Sequence, residues 1–420
     1  MRLALYHPWV YLRGGAERVL LETLRRSRHD WTLYTHHFSG HDTFDGFGDH
    51  HVVELGPRVS VDRSLMPLMR AAKTISRSRI PADGSEALLV STEGLGDLVL
   101  SRCELPAAGY CHTPLKIVHD NATRDALRAG SPIKSAVAAA IGPAFRSVDA
   151  AMWRRYRHVF ANSNETRHRI TRGGLRPHDQ VEVLTPGVDL GAFGAGFADL
   201  AGLDIASERE PLFLVAGRIQ WQKHIELAID AVQLALSSGL KGRLVIAGAV
   251  DAKSRPYLAA LRQRAAGLPI TFEVDPTDAR LDELYTSATA LLFTARNEDF
   301  GIVPLEAMAA GTPVLAVDAG GPRETVVHDV TGWLLPNDAR AFARQMCAVE
   351  AFATYMAPMR RACRTRAEQF SWDAMVARID DVMEQVAARV PVSPAAAALR
   401  DEEVLRGIAW DPASDVAANV

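Results

Sequence analysis

The sequence predicts an α/β protein made of two parallel-sheet halves. Three observations predict it. Short apolar runs, among them Leu3 to Tyr6, Ala87 to Ser91, Leu212 to Ala216 and Ala288 to Ala295, alternate with longer helical patterns. The alternation weakens to Gly, Ala and Asp around residues 190–210 and then starts afresh. At 420 residues the chain is too long for one ordinary domain, so two is the natural organisation.

In the first half, a strand at Leu3 to Tyr6 leads through a loop, His7 to Gly15, into a helix from Ala16 to about Ser27. That helix carries Val19, Leu20, Leu21 and Leu24 on one side. Gly14-Gly15 at its start lets a backbone come close to a ligand, and the helix N-terminus there favours a phosphate; a plain chain-reversing turn fits the two glycines equally well. A second strand, Trp31 to Thr35, completes a βαβ unit. Residues 56–80 are basic, through Arg58, Arg63, Arg70, Lys73, Arg77 and Arg79, with Leu65, Met66, Leu68, Met69 and Ile75 at roughly helical spacing. Pro67 interrupts that pattern, so a solvated helix covering its own domain is expected ahead of a helix that meets anionic lipid.

Strands at Ala87 to Ser91 and Ala107 to Cys111 follow. The second delivers His112-Thr113-Pro114 to the carboxyl edge of the sheet, where open α/β folds bind ligands. Residues 115–157 look helical and Ala-rich. The strand His158 to Ala161 runs into Asn162-Ser163-Asn164-Glu165-Thr166, an N-cap with an acid in the first turn of the next helix. Val181 to Leu184 is a further strand, ending at Thr185-Pro186-Gly187-Val188-Asp189.

In the second half, Leu212 to Ala216 turns at Gly217-Arg218 into a helix, Ile225 to Leu236. Strands at Arg243 to Ala247 and Ile270 to Val274 alternate with helices at Ser254 to Arg264 and Arg280 to Ala288. Next comes the stretch around which the chain is organised, Asn297 to Val314. It is an acidic loop after an apolar run, a glycine where a helix must begin, a short helix, and a stop at Gly311-Thr312-Pro313. Glu298 precedes the helix and Glu306 lies about two turns along it, so both carboxylates can face one pocket at different depths. Free N–H groups near Phe300 to Val303 suit an anion. Segments at Glu324 to His328 and Gly332 to Leu335, a helix from Ala339 to about Gln369 and a last helix from Asp373 to Ala388 complete the pattern. The tail from about Val390 is poor in large apolar residues and is expected to be mobile.

Composition excludes several classes. The net charge of −3 rules out a polycation, and no aromatic-interleaved basic run supports nucleic acid. The first half is mildly basic and the second acidic, which suits a cleft or a membrane-facing surface. Cys103, Cys111, Cys347 and Cys363 show neither CxxC nor zinc spacing, and read as reduced thiols of a cytoplasmic protein. No apolar segment is long enough to span a bilayer, and His7-Pro8 breaks the opening run too early for a signal peptide. The protein is expected to be soluble or peripheral.

Arg218 and Lys223 sit five residues apart at a strand-to-helix junction, which suits a diphosphate, whose charge grows as it leaves. Glu298 and Glu306 would repel phosphate and so fit hydroxyls, as on a ribose or a sugar ring. Taken singly, each of these four reads as a solvated turn or helix face; taken together, at corresponding edges of adjacent βα units, they read as a site.

These residues carry a resemblance. The chain resembles the retaining glycosyltransferases of family 4, with the GT-B fold. The matching pieces are Gly14-Gly15-Ala16-Glu17-Arg18-Val19, His112-Thr113-Pro114, Asn162-Ser163, Pro186-Gly187-Val188-Asp189, Gly217-Arg218 with Gln222-Lys223, the Glu298-x7-Glu306 element, and Gly320-Gly321-Pro322-Arg323-Glu324. They span residues 1 to about 385 in order. The resemblance implies two Rossmann-like domains across a cleft: an acceptor-side domain over residues 1–195, a nucleotide-sugar domain over 205–372, and a helix at 373–388 that crosses back to the first.

It implies that Arg218 and Lys223 hold the diphosphate, with Gly217 at the turn. Glu298 and the backbone of Asp299, Phe300, Gly301 and Ile302 would hold donor-sugar hydroxyls and phosphate, and Glu306 the ribose. His112 would reach the donor sugar from the first domain, and Gly14 and Gly15 would approach the phosphates. No cofactor and no metal are expected, because cationic side chains replace the ion. A front-face mechanism needs no covalent nucleophile. The implied reaction moves a hexosyl unit (mannosyl, glucosyl or N-acetylglucosaminyl) from a nucleoside-diphosphate sugar to a glycan, a lipid-linked or a small-molecule acceptor. Tyr110-Cys111-His112-Thr113-Pro114 resembles hexosyltransferases that build surface glycans. A glycoside phosphorylase or sugar-nucleotide epimerase on the same architecture, or a non-catalytic binder of the same ligand, are the alternatives. Phe272 to Pro276 departs from the family's usual glycine beside the base, and Asp299 from its usual small residue.

Overall fold

The computed structural model describes the chain except residues 63, 82, 121–122, 125–127, 129–131, 194–210, 353–355 and 391–420, and the side chains of residues 132–135, 137–138 and 141. Arg63, most of the link at 190–210 and the tail beyond Val390 therefore lie outside the described residues.

Thirteen strands are described, all paired in parallel. β1 (Arg2–Tyr6), β2 (Asp30–Thr35), β3 (His51–Glu54), β4 (Ala87–Thr92), β5 (Ala107–Cys111), β6 (Tyr156–Ala161) and β7 (Glu182–Val183) form one sheet in the order β3-β2-β1-β4-β5-β6-β7. β8 (Leu212–Ala216), β9 (Arg243–Gly248), β10 (Ile270–Val274), β11 (Ala290–Phe293), β12 (Val314–Val317) and β13 (Gly332–Leu335) form the second, in the order β10-β9-β8-β11-β12-β13. Helices cover both faces of each sheet, so the central strands are buried on both sides. That is why they read as unbroken apolar runs rather than as alternation. In each sheet the order reverses beside its first strand, between β1 and β4 and between β8 and β11.

The helix Trp372–Ala387 crosses back to the first domain. Its Trp372, Met375, Ile379, Val382, Met383 and Val386 share a core with Leu3, Leu5, Leu20 and Leu89. Ion pairs fix the rest of it: Arg378 clasps Glu182 at 2.8 Å, and Asp380 accepts from Ser27 Oγ at 2.5 Å and from the Arg28 amide at 3.0 Å. Where the chain changes domains, the Val188 amide donates to the Phe370 carbonyl at 3.1 Å.

Some elements differ from the sequence reading. β3 was not anticipated, being a four-residue edge strand without alternation. Pro67 does not interrupt the basic segment: it falls in the first turn of the helix Leu65–Arg77, where its missing N–H leaves no bond unmade. Residues 115–157 hold the helices Lys116–His119 and Pro132–Trp153, and the long helix expected from Ala339 is two, Ala339–Ala351 and Ala357–Glu368, the second starting with Pro358 in its first turn. Glu324 lies in a one-turn helix, Pro322–Thr325. All four cysteines are unpaired thiols.

Candidate active site

Arg218 follows β8 and the loop Asn297 to Gly301 follows β11, so the reversal of strand order in the second sheet brings them to one crevice. After Gly217 the chain makes a single turn, Trp221–Lys223, before the helix Ile225–Ser237. That turn is pinned from below: Thr294 Oγ1 donates to the Lys223 carbonyl at 2.9 Å, and the Arg296 amide to the Gln222 carbonyl at 3.0 Å. Lys223 Nζ then lies 2.8 Å from Glu298 Oε2, with both side chains less than a quarter exposed.

Burial alone would raise the Glu298 carboxyl. Lys223, in contact with it, together with Lys116 and Arg218 further off, outweighs burial and holds it below the usual carboxylate range. Arg218 is half-buried and has no ion pair among the described residues, so its charge remains available to an incoming anion.

The helix Ile302–Ala309 begins at Gly301, whose φ of +86° favours glycine, and no side chain caps it. A second pair of glycines makes room for this loop: a Cβ at Gly320 would lie 2.4 Å from the Glu298 carbonyl oxygen, and one at Gly321 2.2 Å from that of Phe300. Phe300 itself is buried, its ring 6.0 Å from that of Phe370, so it offers the site only its backbone. Gly15, on the first domain, stands opposite: a Cβ there would lie 3.5 Å from Ile302 Cδ1. Gly14 is the residue before that first helix, Gly15–Arg26.

Glu306 lies in the same helix as Ile302 and accepts from the Tyr285 hydroxyl at 2.8 Å. Burial raises its carboxyl more than Tyr285, Arg18 and Lys223 lower it. Glu298 and Glu306 thus differ in kind: one is a charge paired with lysine, the other a carboxyl held by a phenol and pushed toward its neutral form.

Across the crevice, His112 ends β5. Its Nε2 is 2.8 Å from Ser91 Oγ, which is in turn 3.0 Å from His7 Nδ1, so His7, Ser91 and His112 form one chain over the ends of β1, β4 and β5. Burial lowers His112 to about 3, and it is neutral. Among the described residues no hydrogen bond or ion pair joins it to the second domain. The structure therefore gathers Arg218, Lys223, Glu298, the start of the helix Ile302–Ala309 and Gly15 directly, and places His112 on the facing wall.

Sequence reasoning missed Lys116 and Arg169, both of the first domain. Lys116 Nζ lies 2.6 Å from Asp299 Oδ2 and donates to the Asn297 carbonyl at 3.0 Å. Arg169 pairs with the other Asp299 oxygen and donates to Asn297 Oδ1 at 2.5 Å. Burial nevertheless leaves the Asp299 carboxyl raised against the pull of Lys116 and Arg169. Its carboxylate is taken up by these cations, so only its backbone is left to a ligand in the crevice. The available signal was the strand-end position of Ser163, whose Oγ donates to the Asp299 carbonyl at 2.6 Å. Among the described residues no three His, Cys, Asp or Glu side chains converge as a metal site.

Comparison with known proteins bears on the same half of the chain. Residues 204–370 match the model for glycosyl transferases group 1. A D-inositol 3-phosphate glycosyltransferase of Gordonia bronchialis is 33% identical over 229 residues, 50% of this chain and 49% of that protein. The human alpha-1,3/1,6-mannosyltransferase is 30% identical over 218 residues, 48% of this chain and 52% of that protein. The chain spans about half the length of the curated relatives it matches. The structure of sucrose-phosphate synthase from Thermosynechococcus elongatus superposes with a TM-score of 0.70 at 20% identity, covering 93% of this chain and all of that one. Two facing parallel-sheet domains, a crossover helix and that likeness make this an α/β GT-B fold.

Proposed function

We propose that the protein is a retaining, metal-independent glycosyltransferase that moves a hexosyl unit from a nucleoside-diphosphate sugar to an acceptor hydroxyl. One observation carries the reading: Lys223 and Glu298, 2.8 Å apart, stand where strand order reverses, beside the uncapped start of the helix Ile302–Ala309 and Arg218, which has no ion pair among the described residues. A diphosphate needs cations and free N–H groups; a sugar needs hydroxyl acceptors; this crevice offers both within one turn. The second domain holds the donor in this reading, Glu306 takes the ribose, and Gly15 and His112 close the first-domain side.

In the reaction the bond from the anomeric carbon to the phosphate oxygen breaks, and a bond to the acceptor oxygen forms on the same face. The acceptor's proton passes to the departing phosphate oxygen. Lys223 and Arg218 stabilise the charge that accumulates there, which is greater in the transition state than in the bound donor. Neutral His112 is suited to hydrogen bonding, not to carrying charge. The relatives' names, a D-inositol 3-phosphate glycosyltransferase and an alpha-1,3/1,6-mannosyltransferase, support a glycosyl-transfer reading.

A lipid-linked acceptor is supported by one surface feature. On the helix Leu65–Arg77, Met66 and Met69 are exposed at 59% and 45%, beside exposed Arg70, Lys73 and Arg77. No helix among the described residues is long and apolar enough to cross a membrane. The test is a panel of GDP- and UDP-sugars assayed for nucleoside diphosphate release with glycan, lipid-linked and soluble acceptors. Release that depends on an acceptor supports transfer; release of sugar 1-phosphate, or none with every pair despite tight nucleotide binding, counts against it.

A further inference from the structure

The loop that carries Glu298 is held mainly by the other domain. Asn297 and Asp299 flank Glu298, and each is bound by both Arg169 and Lys116 from across the crevice. Arg169, 3% exposed, spans both, donating to Asn297 Oδ1 at 2.5 Å and pairing with the Asp299 carboxylate. Its remaining nitrogen, Nε, is fixed by Glu165 at 2.9 Å. Lys116 spans the same two residues, through the Asp299 carboxylate at 2.6 Å and the Asn297 carbonyl at 3.0 Å. Asp120 accepts from Asn297 Nδ2 at 3.0 Å.

Two further features tie the docking to a particular loop shape. Asn297 has a φ of +58°, a left-handed conformation that a non-glycine residue keeps only when its surroundings hold it. Glu324, at the start of the one-turn helix that packs under the loop, crosses in the opposite sense: its carboxylate accepts from the Asn164 and Glu165 amides at 2.8 and 2.9 Å, at the N-terminus of the helix Asn164–Arg172. That one first-domain helix is thus gripped at its start by the second domain, while its Arg169 grips the second domain's donor loop.

We propose that Arg169, assisted by Lys116, is an interdomain latch and a positioning residue: docking of the helix Asn164–Arg172 sets Asn297 and Asp299, and through them aims Glu298 at Lys223 and the donor. The donor site is then complete only when the domains are closed. Parting the domains strands Asp299 without its cations and leaves Arg169 only Glu165, so the loop and the domain angle switch together. The latch rests on the reading of Glu298 as a donor contact; Arg169 and Lys116 act on it through Asn297 and Asp299.

The test uses the full chain, as wild type, Arg169→Met, Arg169→Lys, Asp299→Asn and the Arg169→Met/Asp299→Asn pair. GDP and UDP are titrated separately by calorimetry, donor turnover is measured, and small-angle scattering reports domain separation with and without nucleotide. Arg169→Met and Asp299→Asn are each expected to raise the donor KM about tenfold and to increase the radius of gyration, and the double variant to be no worse than either single one. Arg169→Lys keeps the charge but cannot span Asn297 and Asp299, so it should fold as wild type and still bind donor weakly. Additive losses, or unchanged scattering and donor KM in both single variants, overturn the latch while leaving the transferase reading intact. Failure of the wild type to bind either nucleotide overturns both. If Arg169→Met does not fold, Lys116→Met removes one arm only, and an unchanged donor KM there overturns the proposal.

Discussion

Lys223 Nζ sits 2.8 Å from Glu298 Oε2, and the two residues come from different βα turns of one sheet, 75 positions apart. With no donor present, each neutralises the other. In the proposed reaction a diphosphate sugar would offer Lys223 a phosphate and Glu298 a hydroxyl, and the pair would exchange partners on binding. Lys223→Ala is expected to lower kcat/KM by about 10²–10³, mostly through kcat, because the lost contact strengthens as the diphosphate departs. Steady-state release of nucleoside diphosphate checks this; near-normal turnover at saturating donor would remove Lys223 from the reaction.

Glu306 leads to a prediction in which stability and binding move apart. Its carboxyl is raised by burial, so the folded state binds a proton more readily than the unfolded chain, and ionised Glu306 costs stability as pH rises through that raised value. Glu306→Gln removes that cost and keeps an acceptor for the Tyr285 hydroxyl. Its Tm should equal or exceed wild type at pH 8, while donor affinity falls about tenfold through loss of charged hydrogen bonds to ribose. In wild type, donor affinity should weaken as pH falls toward the acid range, and in the variant that dependence should flatten. A variant that melts lower and binds donor normally would place Glu306 in the scaffold alone.

Most of the second-domain wall of the crevice was legible in the sequence, and the reason is local. A charged residue directly after a buried apolar run must stand at the sheet's edge, which placed Arg218 and Glu298. A glycine before a short apolar helix marked the start of the helix Ile302–Ala309. The latch was not legible. Lys116 finds Asn297 from 181 positions away and Arg169 finds Asp299 from 130, and each lies on a first-domain helix whose facing surface depends on how the domains meet. In the linear pattern Asp299 was an extra charge beside a sugar; in the fold it is a charge already bound. β3 escaped for another reason, because a short half-exposed edge strand has no hydrophobic period to read.

His112 predicts an absence in the pH profile. At about 3 its imidazole stays neutral throughout the range in which the protein is folded and active. Activity between about pH 5 and 8 should show no ionisation assignable to it. His112→Asn, which retains a neutral hydrogen-bonding group, should lose less activity than His112→Ala, and neither should change the shape of the profile. A limb near neutral pH that vanishes in both variants would make His112 a proton carrier.

The crossover helix is fastened by a part-buried ion pair with a defined pH signature. Burial pushes Glu182 up, but Arg378 at 2.8 Å and His158 at 3.0 Å pull it down to about 2, against 4.5 for the free group. The depressed value means that the stabilisation is complete above about 4.5 and is lost as pH falls from there to about 2. Arg378→Ala leaves Glu182, half-buried in β7, without its main partner. The expected cost is about 1–2 kcal/mol of stability at neutral pH, because the pair keeps some solvent and Glu182 keeps His158, with acid unfolding beginning at a higher pH than in wild type. Denaturant melts at pH 7 and an acid titration followed by circular dichroism measure both, and a variant as stable as wild type would show that the apolar face of Trp372–Ala387 holds the helix unaided.

Gly15 separates ligand space from folding space. A methyl there meets only Ile302 Cδ1, at 3.5 Å, an ordinary contact, whereas one at Gly321 would collide with the Phe300 carbonyl at 2.2 Å. Gly15→Ala should therefore leave Tm within the small range of surface substitutions, about 0.5 kcal/mol in stability. It should weaken donor binding all the same, since the added carbon occupies the approach to the start of the helix Ile302–Ala309, where the diphosphate is placed. Gly321→Ala should lower both Tm and activity, because the loop carrying Glu298 must move to admit it. Thermal melts with donor titrations on the two variants give the comparison. Equal donor affinity in Gly15→Ala and wild type would show that the phosphates do not lie between Gly15 and Ile302.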